Sequence, residues 1–237
     1  MKRAMVVVPT FNERDNLPPL VEALMAHPNV TALVVDDNSP DGTGASADDL
    51  ARAYPGRVEV LHRTEQRGLG RSYNAGIALA VTRPVDVVCQ MDSDFSHDPR
   101  QLPDLIAATD RADLVIGSRY VPGGAIVNWP ARRQFLSRFA NMYVRLITRM
   151  DARDCTSGYR CWRREALAAL RLDGLTSDGY AYLVEMLFVA ARAGCRIAEV
   201  PITFVERRQG ESKMSAAVVL ESAITPWRLV ATMDRRP

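Results

Sequence analysis

Five short apolar runs punctuate the first half of the chain: AMVVV at 4–8, ALVVD at 32–36, VEVLH at 58–62, VDVVC at 85–89 and DLVIG at 113–117. Between them lie stretches with helical patterning near 15–26, 42–53, 68–81 and 100–108. Strands that alternate with helices in this way form βαβ units, so the pattern predicts an α/β fold on a mainly parallel central sheet. In such a sheet ligands sit beyond the carboxyl ends of the strands. PTFNE after the first run, DDNSPDGT after the second and DSDFS after the fourth all fall there.

The third of these polar segments lies in QMDSDFSHDP at 90–99. Side chains two apart on an extended backbone leave the same face, so Asp92 and Asp94 point into one space, where their charges repel. A hard divalent cation held by one or two carboxylates, with water and substrate phosphates in its remaining positions, suits such a pair. A turn with solvated acids suits it equally, and these residues alone leave both readings open. Asp98-Pro99 reads as an N-cap followed by a first helical residue, a structural role. His97 is assigned to the loop.

Net charge is +2, but its distribution is uneven. Residues 1–118 hold 11 basic and 17 acidic side chains, whereas 119–164 hold 10 arginines against only Asp151 and Asp154. One half suits a cation and the next suits anions. Nucleic acid is excluded as a partner, because no nucleic-acid motif is present and the acidic half would repel a polyanion. The 237 residues, 47% of them hydrophobic, are expected to form one domain over 1–237. Cys89, Cys155, Cys161 and Cys195 lack metal-ligand spacing, the N-terminus does not read as a signal peptide, and no disulfide framework is expected, which points to a reducing cytoplasm. No apolar stretch of 18 residues is present to span a membrane.

After residue 118 the pattern changes to a Gly/Pro loop, VPGGAIVNWP, an Arg-rich amphipathic helix near 131–149, and a polar turn, DCTSGYR. A helix near 179–193, a strand near 196–205 and an amphipathic tail over 215–237, broken by Glu221 and Pro226, complete the chain. The apolar side of the Arg-rich helix (Phe135, Leu136, Phe139, Met142, Tyr143, Leu146) fits either the core or a lipid surface. Of the 30 basic residues 28 are Arg, so Lys213 stands out as a point charge in a chain that otherwise uses the planar fork.

VVVPTFNERDNL, VVDDNSPDGT, GLGRSYNAG, MDSDFSHDP, IGSRYVPGG, NWPARRQFLSRFAN, DCTSGYR and VPITFVERRQGESKMS, in this order, resemble the dolichyl/polyprenyl-phosphate mannosyltransferases, inverting glycosyltransferases of the GT-A fold. The resemblance runs from about residue 4 to 215 and favours the metal reading of Asp92 and Asp94. It implies a donor site for GDP-mannose formed by Pro9, Phe11, Glu13, Val35, Asp37, Asp92, Ser93, Asp94, Arg207 and Lys213, with Mg2+ or Mn2+ on Asp92 and Asp94. It implies that Arg119, Arg133 and Ser137 receive the phosphate of a polyprenyl monophosphate, and that Asp154 and Arg160 brace that region. Asp92, Asp94, Arg119 and Arg133 are then the expected catalytic set. Many relatives carry C-terminal membrane spans and this chain shows none, so the expected location is the cytoplasmic, inner face of a membrane, held there peripherally or by a membrane-spanning partner. Another donor such as UDP-glucose, a non-catalytic nucleotide-binding module, and a phosphotransferase with Asp92 as nucleophile are the alternatives.

Overall fold

The computed structural model describes residues 1–64, 67–172, 174, 175, 177, 179–206 and 216–233, the side chains of 216–220, 222 and 233 excepted. Its first half is the expected alternation. Strand β1 (Ala4–Thr10), helix α1 (Leu17–Met25), β2 (Val30–Asp36), α2 (Thr43–Ala53), β3 (Val58–His62), α3 (Leu69–Ala80) and β4 (Val87–Gln90) follow one another. A single 3-10 turn at Pro99–Gln101 then runs into α4 (Leu102–Ala108), and β5 (Leu114–Ser118) closes this half.

Among the described residues the main sheet has seven strands in the order β3-β2-β1-β4-β7-β5-β8. From β1 the chain adds β2 and β3 on one side and then returns to place β4 on the other. That reversal opens a crevice at the carboxyl ends of β1 and β4, where an α/β sheet receives its ligand.

The unbroken apolar runs of β1 and β2 are explained by burial on both faces. Met5 and Val7 pack with Leu33, Val35, Tyr73 and Ile77 on one side, while Val6 and Val8 pack with Leu17, Leu20, Val34 and Leu105 on the other. Close approach fixes α3 on the first side. A Cβ at Gly76 would fall 2.5 Å from Val7 Cγ1 and 2.8 Å from Val35 Cγ2, so no larger residue fits that helix position.

The second half departs from expectation in four ways. DCTSGYR leads directly into a strand, β7 (Arg160–Arg163), which inserts antiparallel between β4 and β5. The Gly/Pro loop contains β6 (Ala125–Val127), and the strand expected at 196–205 divides at Ile202 into β8 (Ile197–Pro201) and β9 (Thr203–Val205). β8 joins the main sheet, and β9 pairs with β6 as a separate ribbon. Finally, the expectation of no disulfide is corrected. Cys89 and Cys161 oppose each other in the β4–β7 register with Cα atoms 4.2 Å apart, and their sulfurs are bonded. The inference of a reducing compartment therefore loses its support from cysteine usage. Neither sequence neighbourhood revealed the pair, because 72 residues separate them and only the insertion of β7 brings them together.

The remaining helices are α5 (Ala131–Thr148), α6 (Arg164–Ala169), α7 (Gly179–Arg192) and α8 (Ala216–Met233). α7 is buried over most of its length, whereas α5 buries only Asn141 and Val144. Its apolar residues Phe135, Leu136, Phe139, Met142 and Leu146 are exposed, joined by Ile224 and Trp227 of α8. The core reading of that stripe thus fails for these five residues. Among the described residues no helix is long and apolar enough to cross a membrane.

Candidate active site

The loops after β1 and β2 are tied together by side chains that accept backbone N–H groups. Asn12 N–H donates to Ser39 Oγ (3.1 Å), Glu13 N–H to Thr43 Oγ1 (2.9 Å) and Arg14 N–H to Asp41 Oδ2 (3.2 Å). Both loops turn through an asparagine in the left-handed region, Asn12 at φ 59° and Asn38 at φ 57°. Asn tolerates that conformation better than other residues with a Cβ. DDNSPDGT therefore braces PTFNE as one unit at the edge of the crevice.

Pro9 and Val35 are buried partners in the β1–β2 register, and the Val35 side chain packs toward Gly76 of α3. Phe11 lies under the Arg67 guanidinium, 4.4 Å from ring centroid to Cζ. Glu13 accepts a hydrogen bond from Asn16 Nδ2 (2.8 Å). Asp37 is buried and pairs with buried Arg63, and its second oxygen accepts from Gly68 N–H (2.8 Å). Arg63 and Arg67 were not singled out in the sequence. A lone arginine carries no motif, and only the return of the chain after β3 brings these two beneath the crevice.

At the end of β4, Asp92 and Asp94 flank buried Ser93. Asp94 is buried and accepts from Ser96 N–H (3.0 Å), a tight turn permitted by Phe95 at φ 60°. Asp92 is partly open and is held from two directions. Tyr73 Oη donates to its Oδ1 (3.1 Å), and its backbone N–H donates to His97 Nδ1 (3.2 Å). Burial first, and then the Asp92 carboxylate, push the Tyr73 hydroxyl far above its usual range, so it remains a donor. Burial lowers the His97 pKa against the pull of Asp92 and Asp94, which keeps the ring neutral and its Nδ1 an acceptor. His97 is thus a positioning residue in the loop, and Asp98 caps the 3-10 turn by accepting from Arg100 N–H (2.9 Å). Gly158 approaches Asp92 so closely that a Cβ would fall 3.3 Å from Oδ1.

Oxygen donors alone are on offer at this pair, and no group of three or more His, Cys, Asp or Glu arranged for a metal exists among the described residues. Two carboxylates without a protein cage suit an ion that keeps water and takes phosphate oxygens, as magnesium and manganese do, and not a structural zinc.

A row of rings leads from this pair to the arginines. His97 stacks on Tyr159 (5.0 Å) and meets Phe204 edge-on (5.5 Å), and Phe204 meets Trp129 edge-on (5.2 Å). The Arg133 guanidinium covers Trp129 at 3.9 Å, and Arg119 lies 5.3 Å from Phe204 and 5.9 Å from Trp129. The acidic and basic stretches of the chain therefore meet across three rings, His97, Phe204 and Trp129, with Tyr159 stacked on the first.

Neither arginine is bare. Asp154, fully buried, takes Arg119 Nε (2.7 Å), Nη2 (2.6 Å) and backbone N–H (3.0 Å). Burial opposes the Arg119 charge, and Asp154 more than offsets it, so the guanidinium pKa is raised. Arg133 Nη1 donates to both oxygens of Glu206 (2.7 and 2.8 Å). Ser137 Oγ bonds Tyr120 Oη (2.7 Å). Arg160 holds the DCTSGYR loop by donating to the carbonyls of Ser157 (2.9 Å) and Cys155 (3.0 Å), and burial lowers its pKa to about 10. Arg207 and Lys213 lie outside the described residues.

Residues 5–171 match the family model described as Glycosyl transferase family 2. The chain is 47% identical over 238 residues to the polyprenol monophosphomannose synthase of Mycolicibacterium smegmatis, covering 99% of this chain and 90% of that protein. It is 49% identical over 235 residues to the undecaprenyl-phosphate mannosyltransferase of Micrococcus luteus, covering 98% and 96%. A solved structure of glucosyl-3-phosphoglycerate synthase from Mycobacterium tuberculosis in complex with Mn2+, UDP and phosphoglyceric acid superposes with TM-score 0.68 at 19% identity, over 98% of this chain and 77% of that one. That likeness establishes the GT-A fold, a mostly parallel central sheet with flanking helices. With the family model spanning most of the chain and two relatives near half identity over nearly its whole length, the protein belongs to glycosyl transferase family 2 and is a glycosyltransferase.

Proposed function

We propose that the enzyme transfers mannose from GDP-mannose to a polyprenyl monophosphate, with inversion at the sugar carbon. The observation that carries this reading is the meeting of Asp92 and Asp94 with Arg119 and Arg133 across the rings of His97, Phe204 and Trp129. One pole suits a metal-bound diphosphate and the other suits a second phosphate. The names of the relatives support mannose and a lipid phosphate.

In this reading Pro9, Phe11, Glu13, Val35 and Asp37 form the nucleoside wall, and Ser93 borders the diphosphate. Asp94, with Asp92, holds Mg2+ or Mn2+, which when bound neutralises charge on the departing diphosphate. Arg207 and Lys213, on the segment that follows Glu206, complete the donor site. Arg133 and Arg119 orient the acceptor phosphate, with Ser137 beside them.

The phosphate monoester has a second pKa of about 6 and is already largely ionised at neutral pH, so its attack needs no general base. Its oxygen forms a bond to the anomeric carbon as the bond to the diphosphate oxygen breaks, and the electron pair leaves on the diphosphate. A covalent enzyme intermediate is disfavoured at Cys155, where burial pushes the thiol pKa to about 12. We place the enzyme peripherally on the inner, cytoplasmic face of a membrane, with the exposed apolar residues of α5 and α8 toward lipid.

Incubation with polyprenyl phosphate and a panel of labelled sugar nucleotides tests the reading. Label from GDP-mannose is expected in the lipid product with the anomeric configuration inverted. Transfer from UDP-glucose alone reassigns the donor, and a retained anomer rules out single displacement.

A further inference from the structure

A cavity of about 490 Å³ beside α5 is lined by Arg119, Arg138, Asn141, Arg145 and Arg153. Arg138, Asn141 and Arg145 stand three and four residues apart, which places them on one helix face. Arg153 joins them from the loop that follows. Among the described residues the side chains of Arg138, Arg145 and Arg153 form no salt bridge, whereas Arg119 is neutralised by Asp154. Glu199, the nearby acid, receives the backbone N–H groups of Arg153 and Asp154.

Three exposed guanidinium groups around one concavity repel each other, and their proximity contributes nothing to the fold. Exposed arginines on a helix are ordinarily a solvated face. Two features separate this set from that case. The groups converge on a cavity, and the cavity shares an edge with the apolar strip of α5, since Met142 lines the cavity and is also 50% exposed among Phe139 and Leu146. Arg133, Trp129 and Ser137 do not line it, so it meets the residues proposed for the acceptor phosphate only at Arg119.

We propose that this cavity binds the phosphate of an anionic phospholipid headgroup while the apolar residues of α5 and α8 enter the acyl boundary beside it. The proposal rests on the peripheral membrane reading above and adds a discrete headgroup site to it. Charge complementarity selects the occupant: three unpaired guanidinium groups present fork-shaped donors to phosphate oxygens, and the adjoining apolar strip excludes a purely aqueous partner. A headgroup held there would orient the crevice relative to the bilayer that carries the lipid acceptor.

Flotation of the full chain with vesicles tests it, using phosphatidylcholine alone and an equimolar mixture with phosphatidylglycerol. Wild type is expected to float only with the mixture. Arg138→Gln, Arg145→Gln and Arg153→Gln should each lower partitioning by about fivefold, the loss of one arginine contact at a membrane surface. Arg132→Gln removes the same charge from the same helix outside the cavity and should lower it by at most about twofold. Equal losses for Arg132 and the cavity variants would mean diffuse attraction, which overturns the site and leaves the membrane reading intact. Failure of wild type to float overturns both. Binding of inorganic phosphate without flotation, or self-association abolished by Phe139→Ser, would assign the surface to a free anion or to a second copy and equally overturn the proposal. Unchanged urea midpoints of the variants check that the fold is kept, as expected for exposed side chains.

Discussion

In the proposed mechanism Glu206 competes with the acceptor for Arg133. Its two oxygens sit 2.7 and 2.8 Å from Arg133 Nη1, where a phosphate oxygen of the lipid acceptor would be received in the proposed mechanism. The side chains are 32% and 30% exposed, so the pair is partly screened and is treated at the upper end of the exposed range, about 1 kcal/mol. Glu206→Gln keeps the size and a carbonyl acceptor but removes the charge. An interaction of about 1 kcal/mol released to the acceptor corresponds to a fall of about fivefold in the KM for polyprenyl phosphate. The KM for the sugar nucleotide should be unchanged. The measurement is initial rate against acceptor concentration in detergent, at saturating donor and metal, repeated at low and high salt. Screening should shrink the difference at high salt, because the competing charge is partly exposed. A raised acceptor KM in Glu206→Gln would refute the reasoning, since Glu206 would then be holding Arg133 in its working position. An unchanged value would show that the pair opens at no cost.

Asp94→Ala should lower turnover by about a hundredfold or more at saturating metal, the scale of losing a principal charge-stabilising group, and should weaken Mn2+ binding followed by electron paramagnetic resonance. Wild-type turnover would remove Asp94 from the site. Asp154→Asn leaves the Arg119 guanidinium buried without its carboxylate, and the urea midpoint should report a loss of about 3–5 kcal/mol; an unchanged midpoint would mean that Arg119 reaches water when released. Asp113 accepts from Arg196 Nε (3.0 Å), Nη2 (2.9 Å) and N–H (2.9 Å), which lower its pKa from 3.8 to about 2. Because the folded pKa is depressed, its stabilisation is present above pH 3.8 and is lost as pH falls toward 2. Asp113→Asn should therefore flatten that part of the acid-unfolding curve, and an unaltered slope would show that other carboxylates control it.

Much of the first half was legible because its information is local. The alternation of apolar runs and helical periods requires only neighbouring residues, and β1 to β5 lie within a few residues of where that pattern puts them. The three polar segments at strand ends follow from the same reading once the sheet is parallel. Asp92 and Asp94 share a loop for the same reason, since their spacing of two is a property of the backbone itself.

Strand order was not legible, and most of what surrounds the site depends on it. β7 inserts between β4 and β5, and that one placement brings Cys161 to Cys89 and Gly158 to Asp92. Arg119 finds Asp154 at a separation of 35 residues, and Arg133 finds Glu206 at 73. No periodicity encodes such pairs, because a side chain's partner across a sheet is chosen by which strands the whole core can bury side by side. The amino-acid sequence by itself thus determined the fold class, and its family motifs marked the carboxylates and arginines of the proposed site. Only the tertiary structure decided that both arginines are already matched to acids, that a row of rings joins the two poles, and that the apolar side of α5 is left facing outward.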